Sequence, residues 1–221
     1  MQTERQDTSS PRRSPVGVWS AFVLLGLIGL CCGVELVLLA ADYGLIGTPR
    51  WRGLAYQNGA FWSGLLYNWR PNYTGQPRLM FFTYAFFHSG FGHLVGNMLT
   101  LFFLGSIVQD RVGQGWLAVL YAISAMGGAV AFALLNSSPQ PMVGASGALF
   151  GLAGAWQYWD WVDRRRAGRR PWVVWRTVLG LVLLNVMLWM WMAGGLAWET
   201  HLGGFVSGWV GATALTRLGK G

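Results

Sequence analysis

Ser146 stands in Pro141-Met142-Val143-Gly144-Ala145-Ser146-Gly147-Ala148-Leu149-Phe150-Gly151, where a proline-broken loop turns into an apolar helix. A serine at a helix N-terminus has its hydroxyl near unpaired backbone N–H groups and the positive end of the helix dipole. That setting suits a nucleophile that must also stabilise an oxyanion. The pattern Gly144-x-Ser146-Gly147 is short and the chain holds 32 glycines, so alone it carries little weight. His201 is the natural companion, because a neutral imidazole can accept the serine proton and later return it to a leaving amine. His93 and Asn97, at i and i+4, share one helix face, and both can donate hydrogen bonds as an oxyanion site requires. His88, five residues before His93, is expected to support a loop. A metal held by His88, His93 and His201 would have no acidic or thiol ligand, so no metal and no cofactor are assigned. Cys31 and Cys32 are adjacent in an apolar run and read as packing residues.

The elements that must position these groups are membrane helices. Of 221 residues 53% are hydrophobic and only 11% charged, with mean hydropathy +0.39, whereas a soluble domain carries about 25% charged residues. Apolar runs near 18–41, 90–108, 116–135, 142–161, 173–192 and 198–215 each approach the roughly 20 residues that cross a bilayer. Six spans place both ends of the chain on one side. Alternate segments hold twelve of the Lys and Arg residues, dominated by the cluster Arg164, Arg165, Arg166, Arg169 and Arg170; the opposite loops hold Arg50, Arg52, Arg70 and Arg78. The positive-inside rule therefore puts the N- and C-terminal ends in the cytoplasm and the loop before Ser146 outside. The net charge of +8 is thus a matter of membrane orientation, and nucleic acid is excluded as a partner. Loop 42–89 is long and rich in aromatics, so it is expected to dip into the outer leaflet, with 58–70 as an interfacial amphipathic helix. The stretch 79–87 is apolar but too short to span.

Helix lengths and small residues suggest how the groups meet. A helix capped at Ser146 and ending at Trp161 runs about 23 Å at 1.5 Å per residue, short of the roughly 30 Å core. Ser146 is then expected below the outer surface, in a recess that water can enter. Gly147 and Gly151 in span four, and Gly204 and Gly208 in span six, recur at four-residue spacing; with Gly144 they are expected to let helices pack closely near the site. If those ridges face each other, Ser146 and His201 flank one seam.

His93-x-x-x-Asn97 in span two, Gly144-x-Ser146-Gly147 at span four and His201-x-x-Gly204-x-x-x-Gly208 in span six together resemble the rhomboid intramembrane serine proteases. The match covers roughly residues 77–215. The resemblance implies Ser146 as nucleophile, His201 as general base without an acidic third member, and His93, Asn97 and the Ser146 N–H as the oxyanion hole. Pro77-Arg78 resembles a Trp-Arg pair that precedes span two in many members, with the Trp absent here.

The expectation is an all-α polytopic membrane protein, a six-transmembrane-helix rhomboid-like bundle with a long membrane-associated first loop. Its parts are a cytoplasmic basic tail (1–17), a six-span unit (18–217) with loop 42–89 outside, and a cytoplasmic tail (218–221). The implied activity is hydrolysis of peptide bonds in or next to transmembrane segments of protein substrates, in a bacterial inner membrane, with the lipid bilayer as the other partner. A catalytically silent relative that binds transmembrane helices is the alternative. A channel is disfavoured because the polar groups cluster near one face. Glu35, inside span one, has no task assigned by its spacing.

Overall fold

The computed structural model describes residues 21–136 and 138–221. The expected tail 1–17 and the start of the expected first span lie outside the described residues. An apolar run in lipid has only its own backbone with which to satisfy its N–H and C=O groups, so it folds as a helix. Among the described residues eight α-helices form: α1 (Phe22–Asp42), α2 (Arg50–Gly59), α3 (Gln76–Thr83), α4 (Phe91–Val112), α5 (Gln114–Leu135), α6 (Ser146–Arg166), α7 (Trp172–Trp191) and α8 (Trp198–Arg217). Helix α1 and helices α4 to α8 match the six expected spans in order. Four of them, α1, α4, α5 and α7, are long and apolar enough to cross a membrane on length and hydropathy alone. Helices α6 and α8 are diluted by glycine and polar side chains, and they carry the candidate site.

Helices α5, α6 and α8 form the tightest part of the bundle. Gly204 of α8 lies against the backbone of Gly147 in α6, and Gly208 against that of Gly151 one turn on. A Cβ at either position would collide with main-chain atoms that cannot move away. The two ridges therefore face each other, and Gly203 approaches Gly127 of α5 in the same way. Close backbone approach of this kind replaces the hydrophobic driving force that lipid does not supply. Helix α7 is the opposite case. Val174 is its sole buried side chain, while Leu179, Leu183, Met187 and Met190 face outward as a lipid-contacting surface.

Helix α6 begins at Ser146 but continues five residues beyond the expected end at Trp161. Arg164 pairs with Asp160 one turn back at 2.7 Å, and Arg164, Arg165 and Arg166 occupy the last turn, where cations complement the helix dipole. The helix stops at Ala167 and Gly168, the latter at φ +64°. The recess expected from a short helix does not follow, since α6 has 21 residues.

Loop 42–89 departs from expectation in one respect. Its α-helices are α2 and α3, and of the stretch 58–70 only Asn58 and Gly59, the end of α2, are α-helical, followed by a 3-10 turn at Ser63–Leu66. The cause is a long-range pairing: Phe61 N–H donates to Met142 C=O at 3.0 Å, and Met142 N–H to Phe61 C=O at 2.9 Å. That antiparallel bridge needs extended backbone just after Gly59. The apolar stretch 79–87 becomes the end of α3 and a 3-10 turn at Tyr84–Phe86. Tyr84 C=O accepts from Gly144 N–H at 3.0 Å, and its hydroxyl donates to Ala125 C=O at 2.9 Å. The loop thus grips the strand-like segment that feeds into Ser146. Arg52 of α2 ties the same loop to Glu35 and Asp42 of α1, which gives the buried Glu35 a structural task. Arg78 is exposed on α3.

Candidate active site

The segment Met142–Ala145, held from two sides, delivers Ser146 as the first residue of α6. The first rung of the helix runs from Leu149 N–H to Ala145 C=O at 3.1 Å. The N–H groups of Ser146, Gly147 and Ala148 therefore have no partner inside the helix and remain available to an anion. Ser146 is half-buried.

His201, one turn into α8, brings Nε2 to 2.9 Å from Ser146 Oγ. Fifty-five residues separate the two, and the glycine seam between α6 and α8 closes that gap. The imidazole is nearly buried, and Phe150, one turn along α6 from Ser146, stacks on it with centroids 4.2 Å apart and planes 11° from parallel. Its other nitrogen, Nδ1, meets Asn185 Oδ1 of α7.

His93 reaches the same place from α4. Ser89 N–H donates to its Nδ1 at 3.2 Å, and the Ser89 hydroxyl lies 2.9 Å from the same atom. An atom that accepts cannot also carry a proton, so the ring proton sits on Nε2 and can be donated. Gly144 sits under this ring rather than in a helix contact. A Cβ there would lie 2.8 Å from His93 Cε1, 3.0 Å from Nε2 and 3.9 Å from Ser146 Oγ. Its φ of +127° also belongs to glycine. The missing side chain leaves open the space between the His93 donor and the serine oxygen, where a carbonyl oxygen could lie. The Asn97 side-chain NH2 donates to His93 C=O at 2.8 Å, one turn back on α4, and its Oδ1 is buried without a partner. One amide hydrogen of Asn97 thus remains for a ligand.

His88 is fully buried and packs edge-on against His93, centroids 5.2 Å apart. It touches the site only through that ring, as a supporting residue would. Among the described residues no group of His, Cys, Asp and Glu could hold a metal ion. Two to three turns along α6 from Ser146, Leu99, Phe103, Ala153, Trp156 and Leu181 line an apolar groove of about 350 Å³ between α4, α6 and α7. Asn185 escaped the sequence reading. The signal for it was an amide in an otherwise apolar stretch of span five, since polar groups inside spans are functional candidates by default.

The Rhomboid domain family model matches residues 75–218. RHOMBOID-like protein 1 of Arabidopsis thaliana is 43% identical over 74 residues, 34% of this chain and 19% of that protein. RHOMBOID-like protein 4 of the same plant is 34% identical over 128 residues, 56% of this chain and 30% of its own length. Rhomboid protease GluP of Bacillus subtilis is 29% identical over 128 residues, covering 58% of this chain and 24% of the relative. The chain thus spans less than a third of the length of these relatives.

Proposed function

This chain belongs to the rhomboid family, and from that premise we propose that it is an intramembrane serine endopeptidase working through Ser146 and His201. The observation that carries the proposal is the 2.9 Å contact between Ser146 Oγ and His201 Nε2. In this reading His201 takes the hydroxyl proton as Oγ bonds to the carbonyl carbon of a peptide. The tetrahedral oxyanion lies against the Ser146 N–H, His93 Nε2–H and Asn97, donors that are in place before the charge develops. His201 then returns the proton to the leaving amine, which departs as the C–N bond breaks. A water molecule, deprotonated by His201, cleaves the acyl-serine ester and restores the hydroxyl. Only neutral His201 can act as the base, so turnover falls on acidification.

We assign transmembrane segments of other proteins as substrates. A helix must unwind to offer a peptide bond to Ser146, which favours helix-weak, small-residue sequences near the outer face. We orient the molecule with its termini in the cytoplasm and the site opening outward, in a bacterial inner membrane.

The test is labelling of the detergent-purified protein by a fluorophosphonate serine probe, beside Ser146→Ala and His201→Ala. The wild type is expected to label and both variants to stay dark. A folded but unlabelled wild type would overturn the protease reading in favour of a silent helix-binding protein.

A further inference from the structure

The geometry points to Asn185 of α7 as a positioning residue for His201, one that holds the imidazole in the tautomer able to act as a base. This rests on the protease reading above. The Asn185 side chain has one donor end and one acceptor end, and its surroundings decide which faces the site. Its Nδ2 donates to Leu181 C=O at 2.9 Å, one turn back on α7. A carbonyl oxygen can only accept, so this bond fixes the NH2 on the helix side and leaves Oδ1 facing His201 Nδ1. Oδ1 carries no proton either. Nδ1 must therefore be the protonated nitrogen, and a neutral imidazole has just one ring proton. Nε2 is left with its lone pair, aimed at Ser146 Oγ.

In the other tautomer the contact with Asn185 fails and the one with Ser146 runs the wrong way. An Nε2–H would face the hydroxyl as a donor and could not take its proton, while the Nδ1 lone pair would oppose that of Asn185. The chain of one-way bonds from Leu181 through Asn185 and His201 to Ser146 thus does what an orienting partner does for a catalytic histidine. It does so with a neutral amide, which is less costly within a bilayer than a carboxylate. It also accounts for an amide on a helix whose other side chains mostly face lipid. The titratable neighbour across the site is His93 of α4, and Glu199, two residues back on α8, is bonded by Asn136 at 2.8 Å instead.

The test uses the full chain in detergent and compares wild type with Asn185→Leu and Asn185→Asp. Probe labelling is followed against pH, and the ring nitrogens of His201 are observed by 15N NMR. Asn185→Leu keeps the branched shape and loses the acceptor, so thermal stability is expected to hold while labelling slows by about tenfold or more. Asn185→Asp keeps the acceptor and is expected to label well at alkaline pH. Its acid limb should move up by about one pH unit, because a carboxylate at Nδ1 favours the imidazolium. In the wild-type spectrum the neutral ring should carry its proton on Nδ1, and in Asn185→Leu that preference should be lost. Wild-type labelling by Asn185→Leu, an unmoved acid limb in Asn185→Asp, or a wild-type ring protonated at Nε2 would each overturn the inference. An unlabelled wild type would instead strike the protease reading, and the nitrogen spectra would still decide the contact.

Discussion

Glu35 of α1 and Arg52 of α2 form a two-pronged ion pair, Oε1 to Nη2 at 2.9 Å and Oε2 to Nη1 at 3.0 Å, with the carboxylate fully buried. The same guanidinium reaches Asp42 at 2.7 Å and the His88 carbonyl at 3.0 Å. Tyr56 donates to that carbonyl as well, at 2.6 Å. One cation on α2 therefore joins α1 to the segment that leads into α4 and His93.

Arg52→Ala should consequently be costly out of proportion to its place in a loop. Removing one partner leaves a buried carboxylate unpaired, a loss of about 3 kcal/mol or more. The double variant Glu35→Gln/Arg52→Met removes the stranded charge and should recover most of that loss. Thermal unfolding in detergent measures both. Equal destabilisation by the single and double variants would show that the pair is not the source of the cost.

Two glycines near the site should fail in different ways. Gly204→Val drives a side chain into the Gly147 backbone, and overpacking of this kind costs about 1–3 kcal/mol. Stability and probe labelling should fall together. Gly144→Ala puts a methyl group against the His93 ring at a backbone angle suited to glycine. There labelling should fall further than the melting temperature does. A Gly144→Ala protein that labels like the wild type would remove His93 from the candidate site.

Stability should also depend on His88. Burial, and then the neighbouring His93, push His88 down to about 4, against an ordinary value of about 6.5. Between those two values the unfolded chain binds a proton that the folded chain refuses. His88 thus contributes no penalty above about pH 6.5, and stability falls as pH drops toward about 4, by up to roughly 1.4 kcal/mol per unit. Both ring nitrogens lack a hydrogen-bond partner, so His88→Phe loses no bond. Its unfolding midpoint should decline less on acidification than that of the wild type, and parallel declines would contradict the assignment.

Hydropathy and motif spacing were sufficient for the order of the long apolar helices and for the small-residue stripes on α6 and α8. Those features are local: an apolar run must satisfy its own backbone in lipid, and a small-residue stripe is written at helical spacing. The tertiary structure decided the rest. Whether Ser146 Oγ and His201 Nε2 meet depends on the depth and rotation of two helices, which no periodicity specifies. The task of Glu35 waited on a loop arginine, and extended backbone at Phe61 waited on Met142. Asn185 gained a role only when α7 was set beside α8, because a hydrogen bond a few ångströms long between distant residues leaves no trace in the spacing of either.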